Sequence, residues 1–388
     1  MLRKHQKVHL LCIVVHIVML SAIVSIPFSV IYPRLATFTS PYYTETLYKD
    51  LERAFNTSQY RQENNPGIMP DETLFSYVAG AYLHGMDPIM ANSEHTPLGK
   101  YFLSLSIYIF HNDKTIMLLF VLLSGISIWL VSKEVLQHST FALIPVLLVA
   151  VDKLFLNQLV TVPLLDIIQL PFIYLTIAAF LYERRKNLFL LTVISIGCVM
   201  ATKTVVPGII LIICISTFLI LRKEFKKLFH FLGWLPLAGV IFTLTYVRTF
   251  MSGYTFWEFL KFQKWIFLYQ KSKLIYPFSS FRLILFNQWQ TWWGEFSVVA
   301  ANDWSYLWPV STIASFGAGI WIAIHKSWKS VSNDSILLVL LWVITYHGVL
   351  SLGVVSSRFF IPVLPAQYIL LVFVALFLIR HIAKKIRF

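Results

Sequence analysis

Two short stretches of the sequence hold residues whose types and spacing could do chemistry. Pro70-Asp71-Glu72 sets adjacent carboxylates at the opening of a segment of helical character, Leu74 to Leu83. The positive end of a helix favours an ionised aspartate. Such a carboxylate can simply cap the helix. Just outside a bilayer it can also act as a general base towards a hydroxyl. Farther on, Glu94-His95-Thr96-Pro97-Leu98-Gly99-Lys100 puts two cationic donors into one turn shaped by proline and glycine. Either cation alone could be merely solvated, whereas both in one turn beside an apolar run suit an anion. Asp166 stands out as an interior charge in an apolar run, where a charge is expensive. The three cysteines, Cys12, Cys198 and Cys214, sit inside apolar runs and form neither a disulfide framework nor a metal-spaced set. No His/Cys/Asp cluster has metal-ligand character.

These residues must be positioned by a membrane protein. The chain has 388 residues, 57% hydrophobic and 13% charged, with a mean hydropathy of +0.71. That is too apolar for a soluble domain or a disordered chain. The expected fold class is all-α, a polytopic protein of the cell membrane forming a single integral membrane domain over residues 1–388. The first apolar run follows a basic start and exceeds the ~7–15 residues of a signal peptide's apolar core. It reads as an uncleaved anchor with its amino end inside. Nine further spanning runs are Thr115–Ser132, Thr140–Phe155, Pro163–Tyr182, Leu188–Thr202, Thr204–Leu221, Phe229–Tyr246, Tyr306–Ile324, Ile336–Val355 and Phe359–Ile379.

Orientation follows from the basic clusters at Arg3–Lys7, Lys133, Arg184–Lys186, Arg222–Lys227, Lys326–Lys329 and Arg380–Arg387. All can lie in the cytoplasm if Pro97–Phe110 does not cross. That run is short for a span and contains Lys100, so it reads as re-entrant or interfacial. The result is ten spans with both termini inside and two extracytoplasmic loops, 33–114 and 248–305. Seven of the twelve tryptophans fall between Trp257 and Trp308, mixed with Lys261, Lys264, Lys271, Lys273 and Arg282. The mixture suits helices lying in the headgroup layer, either as a plain anchor or as a platform for a lipid phosphate. On this topology most of the net charge of +14 is an orientation signal. Nucleic-acid binding therefore falls away.

The pairing of Asp71-Glu72 with His95-Thr96-Pro97-Leu98-Gly99-Lys100 resembles the first external loop of the protein O-mannosyltransferases. These and the related aminoarabinose transferases belong to the GT-C superfamily of glycosyltransferases that use polyprenyl-phosphate sugars. Their turn usually reads His-Pro-Pro-Leu-Gly-Lys, so Thr96 departs from it. Further similarity lies in Leu164-Leu165-Asp166 opening a span and in Ala201-Thr202-Lys203 closing one. Arg358-Phe359-Phe360-Ile361-Pro362-Val363-Leu364-Pro365 is similar in opening the last. The charge-derived topology, drawn without the resemblance, puts Asp71, His95, Asp166, Lys203 and Arg358 at the extracytoplasmic ends of their segments. Each has a structural reading too: Asp166 could cap, Lys203 could snorkel and Arg358 could mark a loop end.

The resemblance implies transfer of a sugar from a polyprenyl-phosphate donor to an acceptor hydroxyl of a protein, glycan or lipid, on the extracytoplasmic face and with inversion. It assigns Asp71 as the base, with Glu72 its neighbour. The developing phosphate charge needs cations, for which Lys203 and Arg358 lead, followed by Lys100 and His95; Asp166 is a further candidate. Side-chain cations at a monophosphate leaving group reduce the need for a metal, so neither a metal nor another cofactor is expected. Two other classes compete. A transporter or lipid flippase would show paired halves and polar residues at mid-membrane. A structural or assembly protein would tolerate substitutions at Asp71 and in the turn.

Overall fold

The structure is a computed structural model that describes residues 2–64, 67–272, 276–291, 297–325 and 334–386. Trp292, Trp293, Lys273 and the basic run 326–329 lie outside the described residues. A backbone crossing lipid must satisfy its own N–H and C=O groups, which selects helices for the apolar runs. Among the described residues the one strand ladder is the two-residue pairing of β1 (Trp289–Gln290) with β2 (Val298–Val299).

Among the described residues, six helical segments are long and apolar enough to cross a membrane. They are Ile13–Thr39, which ends α1 (Leu2–Ile31) and includes α2 (Leu35–Thr39), then α6 (Thr115–Leu136), α9 (Leu165–Glu183), α12 (Phe225–Leu244), α16 (Leu307–Ile324) and α18 (Leu364–Ile386). A seventh is the pair α7 (Ser139–Val151) and α8 (Lys153–Val160), bent by 57°. Shorter apolar helices are α5 (Leu98–Phe110), α10 (Leu190–Thr202), α11 (Val206–Leu221) and α17 (Asp334–Leu350). With α5 set aside, these are the ten runs that hydropathy marks. The expected span Thr140–Phe155 is corrected in one respect, because it breaks at Asp152. That carboxylate accepts from Leu154 N (2.9 Å), Trp308 Nε1 (3.1 Å) and Tyr368 Oη (2.5 Å), so it starts α8 instead of lying bare in a helix. The remaining helices, α3 (Glu45–Asn56), α4 (Asp71–Leu83), α13 (Val247–Met251), α14 (Phe256–Ser272) and α15 (Ser279–Phe286), lie in the two regions expected as loops.

Helix α9 is the buried centre, packed by α6, α10, α11 and α17. The bundle has two polar ends. At one, Arg184 binds Glu224 (2.9 Å) and Asp334 (2.5 Å), Arg222 joins Asp334, and Arg185 meets Glu134 (2.5 Å). Glu183 caps α10 through the N–H groups of Leu191 and Thr192, both at 2.8 Å. These contacts tie together the ends of α6, α9, α11, α12 and α17, where the basic clusters fall. Successive helices then run back and forth, which brings the starts of α9, α11 and α18 and the end of α10 to the other polar end.

The close approach of α10 to α12 depends on Gly197. A Cβ there would lie 2.9 Å from Ile241 Cβ and 3.1 Å from the Ala238 carbonyl, whereas Gly239 on α12 has open space. Gly197→Ala is therefore expected to destabilise by about 1–3 kcal/mol through overpacking. Gly239→Ala should be neutral or stabilising by up to ~1 kcal/mol. Thermal unfolding in detergent checks the pair, and equal shifts would contradict this packing.

Candidate functional site

Pro70 adopts an extended backbone (φ −71°, ψ 160°) and hands over to α4, of which Asp71 is the first residue. The chain before it is held by a side chain acting as a strand: Gln59 Nε2 donates to the Met69 carbonyl (2.9 Å) and Gln59 Oε1 accepts from Met69 N (2.8 Å). Asp71 does not cap its helix. Its Oδ2 instead forms an ion pair with Arg358, and its Oδ1 faces the Tyr60 hydroxyl at 3.5 Å. Glu72 is half-buried and, among the described residues, joins no ion pair.

Arg358 arrives from the far end of the chain on a short 3₁₀ turn, Ser357–Phe360. Three aromatic side chains of the bundle fix that turn. Tyr346 Oη donates to the Phe359 carbonyl (3.0 Å), and Tyr174 Oη (3.1 Å) and Trp342 Nε1 (3.2 Å) both donate to the Pro362 carbonyl. Tyr174 Oη also accepts from Ala366 N (2.8 Å) in the first turn of α18. The backbone is thereby anchored while the Arg358 side chain reaches outward.

A second ion pair lies deeper. Lys203 closes α10 and binds Asp166 in the first turn of α9, with side chains only 7% and 2% exposed. Gln169 ties the two helices at this level, donating to the Val199 (2.8 Å) and Thr204 (3.2 Å) carbonyls. The Phe359 ring lies 5.3 Å from Lys203 Nζ and 5.6 Å from Arg358 Cζ, favourable ground for both cations. Burial lowers the Lys203 pKa, against the pull of Asp166. For Arg358 burial also opposes the charge, but Asp166 and Asp71 outweigh it and raise the pKa.

The Glu94–Lys100 turn is fastened to the same place. Thr96 N donates to the Lys203 carbonyl (3.0 Å), and Gly99 lies so close to α10 that a Cβ would sit 2.6 Å from the Thr202 carbonyl. This explains the glycine: no other residue admits that approach. The His95 ring packs edge-on to Phe75 at 5.7 Å. For Lys100 the expectation of a phosphate ligand needs correction. Lys100 has no accessible surface, and its Nζ donates to the carbonyls of Asn92 (2.8 Å) and His95 (2.7 Å), shaping the turn from inside. Burial brings its pKa down to about 7, with Glu94 opposing.

Asp71, Asp166, Lys203 and Arg358 thus form one cluster of two acids and two bases at one end of the bundle, with the turn of His95 bound to its edge. Two side chains escaped sequence reasoning. Tyr60 lies in a polar loop with no motif around it. Asp303 accepts from Ser357 Oγ (3.1 Å) and Asn157 Nδ2 (3.4 Å) next to Arg358, a grouping of three distant segments that no local pattern signals. Beside Asp303 a cavity of about 520 Å³ is lined by Lys153, Asn287, Asn302, Trp304 and Tyr306 among others. The second loop bears the expected aromatic face: Phe262, Trp265 and Tyr269 stack along α14, with Trp257 and Trp265 exposed.

Residues 94–268 match the family model described as dolichyl-phosphate-mannose-protein mannosyltransferase. No curated protein matches the sequence. Among solved structures, ArnT from Cupriavidus metallidurans in the apo state aligns with a TM-score of 0.55 at 13% identity, covering 79% of this chain and 55% of that one. The same protein bound to undecaprenyl phosphate aligns with a TM-score of 0.49 at 13% identity, covering 85% and 58%. The chain therefore spans less than three fifths of the length of these structures.

The inner ion pair generates a stability test. Lys203→Met strands Asp166 as a buried charge and should cost about 3–5 kcal/mol. Asp166→Asn with Lys203→Met together should recover most of that loss. Thermal unfolding in detergent distinguishes the two, and a double variant as unstable as the single one would refute the pairing.

Proposed function

We propose that the chain, which is similar in fold to ArnT and matches a mannosyltransferase family model over residues 94–268, is a GT-C glycosyltransferase using a polyprenyl-phosphate sugar donor. The sugar passes to an acceptor hydroxyl at the extracytoplasmic face, and the donor's isoprenoid tail stays in the lipid. One observation carries the reading: Asp71, Asp166, Lys203 and Arg358 meet at one end of an apolar bundle. The family model matched by residues 94–268, described as dolichyl-phosphate-mannose-protein mannosyltransferase, supports the donor class. The basic clusters at the opposite end support the face, since Lys and Arg collect on the cytoplasmic side.

In this mechanism the acceptor oxygen attacks the anomeric carbon and gives its proton to Asp71. The bond from that carbon to the phosphate oxygen breaks, and its electron pair leaves with polyprenyl phosphate. Attack in one step inverts the anomeric configuration. The phosphate gains negative charge as the bond breaks, and Arg358 and Lys203 stabilise it in a site of low dielectric. His95 and its turn border the phosphate, and Glu72 adds a second carboxylate near the base. Asp166 holds Lys203 in place.

Transfer assays with a panel of polyprenyl-phosphate sugars test this. Asp71→Asn should lower transfer by about 10²–10⁴-fold, the usual range for a lost general base. Equal transfer by both proteins would remove the assignment of Asp71. Lack of turnover with every donor would favour a transporter or flippase.

A further inference from the structure

We infer that Arg358 is shared in time between two partners. It holds Asp71 in the resting site and passes to the donor phosphate when the donor binds, so that the base is freed only over a bound donor. This rests on the glycosyltransferase reading above and adds to it an order of events.

The two ion pairs of the cluster differ in the property that decides which can exchange. Asp166 and Lys203 are almost fully enclosed, so separating them would leave two buried charges without partners. Asp71 and Arg358 are each 25% exposed in their side chains, and water or a ligand can replace either partner. Arg358 also carries the right chemistry for the handover. Its planar guanidinium has five N–H donors, and a phosphate can take two of them in parallel. A single lysine at this position could offer only a point charge.

The surroundings confine the change to side chains. Tyr346, Tyr174 and Trp342 fix the Phe359 and Pro362 carbonyls, so the turn bearing Arg358 is anchored. The guanidinium can swing beside the Phe359 ring, which lies 5.6 Å from Cζ. Asp71 is steadied on its other side by the approach of Tyr60 to Oδ1 and by the Gln59 clasp that fixes the chain entering α4. Its carboxylate therefore stays in position when Arg358 departs.

In the resting site Arg358 covers Oδ2 of Asp71, and its departure opens that oxygen to the acceptor hydroxyl. After transfer, polyprenyl phosphate keeps Arg358 until it leaves, and Asp71 then recovers its partner. The coupling is reciprocal: if phosphate weakens the hold on Asp71, then Asp71 must weaken the hold on phosphate.

The test is the affinity of the purified full chain for undecaprenyl phosphate, without any acceptor. Asp71→Asn removes the competitor and should bind it at least about fivefold more tightly than wild type. Glu63→Gln, which loses the same charge from an exposed position in the same loop, should bind like wild type. A second measurement uses the unaltered protein: undecaprenyl phosphate should speed carbodiimide modification of Asp71, read by mass spectrometry. Equal or weaker binding by Asp71→Asn would overturn the exchange, as would equal tightening by Glu63→Gln or protection of Asp71 by the ligand. Wild type that binds no undecaprenyl phosphate would instead remove the donor reading on which the exchange rests.

Discussion

A charge at the rim of an apolar helical bundle persists only where an opposite charge or several hydrogen bonds meet it. Each polar end of this protein is built to that constraint. At one end Arg184, Arg222, Glu224 and Asp334 bind four helix ends into a closed network. At the other, two carboxylates and two cations stand in pairs, and the outer pair is partly open. The first arrangement leaves little for a ligand to displace. The second has an outer pair with part of each side chain exposed, and that difference is what the proposed chemistry draws on.

The inner pair makes the outer one usable. Lys203 gives its carbonyl to Thr96, and Thr202 beside it receives Gly99, so α10 fixes the position of the Glu94–Lys100 turn. Gln169 then links α9 to the same corner through Val199 and Thr204. Arg358 comes to this platform from the other side, on a turn pinned by three aromatic side chains of α9 and α17. The charges are thus placed by backbone contacts that are themselves uncharged. Substituting a charged residue should therefore change the electrostatics more than the geometry, provided its partner is changed with it.

Much of this was legible in the sequence, and for a physical reason. Hydropathy marked the apolar runs because lipid admits only satisfied helices. The alternation of basic clusters placed Asp71, His95, Asp166, Lys203 and Arg358 at one end before any contact was known. Pro70 announced the start of α4, and Gly99 announced a close approach without saying to what. Pairing was not legible, since apolar periodicity reports which way a helix faces lipid and says nothing about its polar neighbours. Asp71 could therefore be read as a cap when its partner was Arg358. Asp152 passed as part of a span, although Trp308 and Tyr368 converge on it from distant helices. Lys100 was misjudged because an ammonium can bind backbone carbonyls as well as anions, and only the fold decides between them.

The nearly balanced charge of the cluster suits the chemistry proposed for it. A donor phosphodiester carries one negative charge, and the departing polyprenyl phosphate carries more. A site of bare cations would bind that product more tightly than the donor and release it slowly. Pairing each cation with a carboxylate moderates this grip while leaving the cations oriented for the moment when charge develops. Asp71 and Asp166 then act in different ways on the same anion. In the proposed reaction Asp166 stays beside Lys203 and limits the strength of the field, while Asp71 competes for Arg358 and takes the proton. Two acids that look alike in sequence are thus separated in role by burial alone.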